Sequence, residues 1–289
     1  MTLRCTEVTL EKRMLQARNA LSRSNRGPAR KPRTARRPAT ADFSGARGTI
    51  SSRAARKAGG ELDRYFRRLV AKLGPQGWWP AKTRLEVILG AILTQNTTWR
   101  NAARAIVRLF EAGKLHLRGL RELEESQLQS LIRPAGFFGQ KARAIRGFVA
   151  WLDQTHGGSL RRMFATPPLD LRRALLELRG LGPETVDAIL LYAGGQPFFV
   201  ADAYTRRILA RHGMLADDAP YAEAQHYIHR HLRRDAKVYN EFHALLVEVG
   251  KGYCRRGQPH CEGCPLQEFL GPRRPLGRSA ARSTDPQPA

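Results

Sequence analysis

The chain is poor in cysteine, in acidic residues and in long apolar runs. Only four of its 289 residues are cysteine, and three of them, Cys254, Cys261 and Cys264, crowd together near the C-terminal end. That distribution excludes a disulfide framework and reads instead as metal or cluster ligation. No apolar run approaches the roughly 18–20 residues that span a bilayer, and no apolar core follows the first residues as in a secretory signal. The expectation is an intracellular, cytoplasmic protein, nucleoid-associated in a bacterium, with no membrane partner. No segment alternates apolar and polar residues with period two, so β-sheet is not expected. Asp and Glu number 25 against 50 Lys and Arg, a net charge of +25. Such a balance favours a polyanionic partner, nucleic acid first, although a genome biased toward arginine produces the same count without function.

What is present divides the chain into four stretches. Residues 1–59 are rich in Arg, Lys, Ser, Pro and Gly and hold little that could build a core, so they read as a disordered basic tail. A non-specific DNA arm, a solvated tail and an over-extended translation start all fit that composition. Residues 272–289 read the same way. Between the tails, apolar residues recur at helical spacing: Leu62, Tyr65, Phe66 and Leu69, then Leu85, Ile88, Leu89 and Ile92, then Ala103, Ile106, Val107 and Phe110. Further helices are predicted around 126–132, 139–155, 169–178, 184–193, 204–211, 221–233 and 236–250, punctuated by Gly136, Gly157, Pro167, Gly180 and Gly194. The expected fold is all-α, two helical bundles with short loops.

Arg179-Gly180-Leu181-Gly182 joins two of these helices, and Pro183 suits the first position of the second. Glycines in such a hairpin let backbone approach a phosphate, and the helix N-terminus favours an anion. Contacts of this kind hold nucleic acid without reading its bases. An ordinary αα-hairpin with a glycine turn has the same pattern. Asp202, twenty residues beyond Gly182, is a good helix N-cap before Ala-Tyr-Thr. A carboxylate close to a nucleic-acid grip also suggests chemistry.

Taken together, Leu93-Thr-Gln-Asn-Thr-Thr-Trp99, the hairpin, Val200-Ala-Asp202 and the terminal cysteines resemble the helix-hairpin-helix (HhH-GPD) DNA glycosylases of the endonuclease III superfamily, over roughly residues 60–270. Gly77-Trp-Trp-Pro80, Arg133 to Lys141 and Asp187 to Tyr192 are similar to its DNA-3-methyladenine glycosylase III branch. The resemblance implies a six-helix barrel over 83–199 carrying the hairpin. It also implies a second helical domain from 60–82 plus 200–271, with the base pocket in the cleft between them. The implied protein is a monomer that acts on double-stranded DNA with damaged bases.

The resemblance also implies roles. A glycosylase takes its target base out of the stack before attacking it. Gln95 matches the residue that fills the gap, where its bare sequence also suits a capping turn. Trp78, Trp79, Pro80 and Trp99 would form the base pocket, and an indole face attracts a positively charged alkylated purine. Unaided by the resemblance, Trp-Trp-Pro reads as helix-entry packing. Asp202 would stabilise the oxocarbenium-like sugar or activate water. Arg179, Gly180 and Gly182 would hold phosphate, with a monovalent cation at the hairpin. Glu184 stands where bifunctional relatives carry the lysine that attacks the sugar, and a carboxylate cannot form that imine. The implied enzyme is therefore monofunctional, with an endonuclease III-like glycosylase/lyase acting on oxidised pyrimidines and a non-catalytic DNA-binding protein as alternatives. Cys254, Cys261 and Cys264 keep three positions of the C-x6-C-x2-C-x5-C iron–sulfur pattern, and the fourth is Leu270. A [4Fe–4S] or three-iron cluster, a zinc site completed by His260, and a loop without metal all remain open.

Overall fold

A computed structural model describes residues 60–78 and 81–270. The expectations for the tails 1–59 and 272–289, for Cys5, and for Trp79 and Pro80 lie outside these residues. Among the described residues there is no strand, and no helix is long and apolar enough to cross a membrane.

The helices are α1 (Glu61–Leu73), α2 (Arg84–Leu93), α3 (Trp99–Glu111), α4 (Leu117–Glu122), α5 (Glu125–Ile132) and α6 (Phe138–His156). They continue as α7 (Leu160–Met163), α8 (Pro168–Leu176), α9 (Pro183–Ala188), α10 (Ala203–Arg211), α11 (Tyr221–His231) and α12 (Ala236–Gly252). The all-α expectation holds. α4 and α7 are additions to the predicted set: at six and four residues they are too short for a 3.6-residue repeat to show. The predicted helix over 184–193 is α9 followed by a π turn, Ile189–Ala193, a widening that period alone does not reveal.

The chain forms two compact units. Among the described residues one holds Ala81–Ile189, and the other combines residues 60–78 with 190–270. The expectation from resemblance drew these limits at 83 and 199. Each unit is built round a helix that is buried on nearly every side. In the first this is α2, buried from Leu85 to Leu93, and it touches α3, α6 and α9. In the second it is α12, with Tyr239, Phe242, Leu245 and Leu246 fully buried, touching α1 and α10. Each such apolar side chain contributes about 1.5–3 kcal/mol on burial.

Local signals fix the helix ends. Thr83 caps α2 by accepting from the Glu86 amide at 3.1 Å, and Asp235 caps α12 by accepting from Lys237 and Val238. Gly157 closes α6 in the left-handed region at φ 53°.

In the second unit the Tyr65 hydroxyl meets His212 Nδ1 at 2.7 Å. Burial pushes the His212 pKa down to about 4, against a smaller opposing effect of a backbone hydrogen bond at Phe269. The folded pKa lies below the unfolded one, so the contribution is complete above about 6.5 and is lost as pH falls toward 4. Thermal unfolding followed from pH 7 to pH 4 should show His212→Gln with a shallower acid loss than wild type, by roughly 3 kcal/mol at most.

Candidate active site and nucleic-acid interface

In the first unit the hairpin runs from α8 through Arg179-Gly180-Leu181-Gly182 into α9. Its two helices are tied together by Arg172, whose Nε and Nη2 donate to the two carboxylate oxygens of Asp187 at 2.7 and 3.1 Å. The Asp187 side chain is completely buried, so this bidentate pair fixes the angle between α8 and α9; removing one partner would leave a buried charge. Gly180 has φ +90°, and a Cβ there would lie 3.0 Å from Ala144 Cβ of α6. Both the backbone and the close approach require glycine. Gly182 differs: it caps α9 in extended backbone, and a Cβ there would meet nothing within 4 Å. Its missing side chain leaves open space over the first amides of α9. Arg179, Gly182, Pro183 and Glu184 are all exposed.

Gln95 lies against this turn. Its Nε2 donates to Gly180 O at 2.9 Å and to Thr185 Oγ1 at 2.8 Å. The surrounding loop is held by Thr94 Oγ1, which donates to Gly90 O at 2.7 Å, and by Thr98, the cap of α3. Asn96 adopts φ 51° between them. Trp99 is the first residue of α3 and is half-buried.

A neighbouring loop carries a feature that sequence reasoning missed. Phe137 stands at φ 46° and is 61% exposed, an unusual posture for an aromatic residue. The loop is held from beneath by Lys141, 2% exposed, whose Nζ donates to Leu93 O at 2.9 Å and Ala135 O at 2.8 Å. Burial lowers its pKa to about 8. One ammonium thus braces both the end of α2, which leads to Gln95, and the turn that presents Phe137. Phe-Phe after a glycine was the available signal.

In the second unit Asp202 caps α10, its Oδ1 accepting from the Thr205 amide at 2.8 Å. The other oxygen, Oδ2, lies 3.5 Å from His243 Nε2 on α12, with the two side chains 13% and 7% exposed. Tyr192, on the π turn, is hydrogen-bonded to His243 Nδ1. Burial acts to raise the Asp202 pKa. The His243 imidazole and the Thr205 donors outweigh it, and the carboxyl is held below its ordinary value. The sequence singled out Asp202; His243 and Tyr192, which the structure brings beside it, have apolar neighbours that make them read as core.

Trp78 also belongs to the second unit. The Lys251 ammonium sits 5.3 Å above its ring centroid, and the preceding turn is fixed by Glu241, which accepts from the Gln76 amide at 2.6 Å.

The Cys254, Cys261 and Cys264 thiols line one cavity with His260 and Leu270. Burial pushes the thiols of Cys261 and Cys264 up. Among the described residues no three His, Cys, Asp or Glu side chains are arranged to hold a metal ion. Leu270 supplies no ligand atom, so the donor set does not fit a four-thiolate cubane. The loop has protein anchors: Arg207 donates to Cys254 O at 2.8 Å, and Arg211 to Arg255 O at 2.7 Å and Arg256 O at 3.1 Å.

The model of the HhH-GPD superfamily base excision DNA repair proteins matches residues 89–234. A Methanocaldococcus jannaschii protein named as a DNA repair glycosylase is 40% identical over 208 residues, 71% of this chain and 94% of its own length. Endonuclease III of Sulfolobus acidocaldarius is 27% identical over 191 residues, 65% of this chain and 82% of its own. Among solved structures, H. pylori 3-methyladenine DNA glycosylase bound to 1,N6-ethenoadenine has a TM-score of 0.57 at 26% identity, covering 65% of this chain and 94% of that one. An endonuclease III–DNA covalent intermediate has a TM-score of 0.62 at 21% identity, covering 72% and 93%. At that identity the likeness is one of fold.

Proposed function

The chain belongs to the HhH-GPD superfamily of base excision DNA repair proteins and is a DNA glycosylase of that superfamily; we propose that it is monofunctional and hydrolyses the N-glycosidic bond of an extruded alkylated purine. The observation that carries the monofunctional reading is Glu184. It stands exposed in the first turn after the hairpin, at the position where lyase relatives carry an amine. A carboxylate cannot attack C1′ to form a Schiff base, so water is the nucleophile.

In this reading Arg179 and the amides at Gly180 and Gly182 hold the phosphate backbone, and the hairpin turn is the place for a monovalent cation. Gln95 enters the vacated stack, and Phe137 is an apolar wedge beside it. Trp78 and Trp99 are stacking surfaces for the base. The Trp78 face already carries the Lys251 ammonium, so a cationic purine displaces that group rather than filling an empty face. Trp79 and Pro80 belong to the same proposed wall. Asp202, ionised and aimed by its cap, stabilises positive charge on the sugar and orients water. An iron–sulfur cluster would have the thiolates of Cys254, Cys261 and Cys264 and would lack a fourth; the loop is held by its arginine contacts.

A duplex with one 3-methyladenine or 1,N6-ethenoadenine should lose that base in single-turnover reactions with purified protein, leaving an intact strand with an abasic site. Borohydride added during the reaction should leave no protein–DNA adduct. A trapped adduct on a duplex carrying an oxidised pyrimidine would instead favour the bifunctional reading.

A further inference from the structure

Asp202 is not alone at the start of α10. His243 enters from α12, only 6% exposed, and its ring is bounded by three groups. The Tyr192 hydroxyl holds Nδ1, the Phe199 ring packs edge-on with centroids 6.1 Å apart, and Asp202 Oδ2 faces Nε2 at 3.5 Å. The ionisable groups that contact the imidazole are therefore Asp202, from the loop before α10, and Tyr192, from the π turn. Nε2 is buried and makes no hydrogen bond of ordinary geometry. A buried polar atom without a bond is destabilising, and the group it faces across this small gap is the carboxylate.

The proton inventory follows from the Tyr192 contact. A neutral imidazole that accepts the phenol proton at Nδ1 must carry its own proton on Nε2. A protonated imidazole carries one there as well. In either state an N–H points at Asp202 Oδ2. Loss of the phenol would allow the other neutral form, in which an Nε2 lone pair faces the carboxylate and repels it. The π turn contributes here, because it is the widened backbone of Ile189–Ala193 that carries Tyr192.

We propose that His243, set by Tyr192, is a positioning residue that holds Asp202 ionised and fixes the direction of its outer oxygen while the base departs. The proposal rests on the reading of Asp202 as the catalytic carboxylate. In this arrangement the Nε2–H faces the outer carboxylate oxygen at 3.5 Å and sets its direction.

The test follows base release from a duplex with one 1,N6-ethenoadenine, under single turnover from pH 5 to pH 9, for wild type, His243→Leu, His243→Gln and Tyr192→Phe. His243→Leu should slow release roughly tenfold or more at neutral pH and move the acid limb upward by about a unit, because the carboxylate loses a donor. His243→Gln, whose amide can still donate, should recover part of both effects, and Tyr192→Phe should fall between. Affinity for the duplex should stay within about twofold of wild type, since none of these groups is read as a DNA contact. Nitrogen NMR of the full-length wild-type protein should show the His243 proton on Nε2. A proton on Nδ1 alone, or an acid limb unmoved in all three variants, overturns the proposal. Asp202→Asn is measured in parallel. If it retains activity, the underlying reading of Asp202 falls; if it is inactive while the acid limb stays fixed, only the role of His243 falls.

Discussion

Asp202→Asn should slow release of 3-methyladenine from duplex DNA by on the order of 10³-fold, about 4 kcal/mol in the barrier, while the protein stays folded and bound. The substitution separates the two jobs of one side chain. Asparagine is as good an N-cap as aspartate, and its Oδ1 can still accept from the Thr205 amide, now at 2.8 Å. The cap of α10 therefore survives, with a thermal midpoint close to that of wild type. What disappears is the negative charge that lies beside His243. A sugar developing positive charge loses its counter-ion, and water loses the group that orients it. Single-turnover kinetics with a binding titration on the same duplex read the two jobs apart. Release at the wild-type rate would remove Asp202 from the chemistry altogether.

Gly182→Ala should weaken duplex affinity on the order of tenfold with little loss of stability, whereas Gly180→Ala should damage both. The two glycines sit two residues apart in one turn but answer to different constraints. Gly182 has extended backbone that alanine adopts readily, and its added Cβ touches no protein atom within 4 Å. An alanine cap costs α9 no more than about 1 kcal/mol. The new methyl occupies the space in which a phosphate would meet the helix amides, so the loss belongs to binding. No charge is removed, and the dependence of affinity on salt should keep its slope. At Gly180 the left-handed backbone and the 3.0 Å approach to Ala144 both resist a side chain, at about 1–3 kcal/mol. Melting curves and fluorescence anisotropy at two salt concentrations distinguish the variants. Undiminished affinity in Gly182→Ala would mean that phosphate does not approach the turn there.

The long helices were legible because their apolar residues repeat at helical spacing and Gly or Pro breaks the runs. α4 and α7 were not, since one turn or two cannot display a period. The cap signal at Asp202 could be read directly, because an N-cap is a local bond between residues three apart. His243 could not. It lies in Phe242-His-Ala-Leu-Leu, where a lone histidine reads as a packed core residue, and its partners stand 41 and 51 positions away. Tyr192 is hidden for a further reason: the π turn rotates it off the face that a regular helix would give it. The bond from Gln95 to the hairpin spans 85 residues. Nothing local announces it, although the type of each partner was plain. Phe137 was passed over because exposure at a positive φ is a property of the backbone, and the string of residues carries only the glycine beside it.

The pair of bonds from Gln95 to Gly180 and Thr185 has a bearing on how the protein searches. On the reading given above, the side chain meant to enter the duplex is parked on the part that rides the phosphates. Withdrawing it breaks two contacts worth about 0.5–1.5 kcal/mol each. A well-stacked pair offers nothing in return, so the amide stays docked and the protein slides past with the helix intact. A weakened pair yields more readily and tips the balance toward insertion. On that reading the same small latch that smooths travel along sound DNA would also set the threshold at which the protein stops to interrogate.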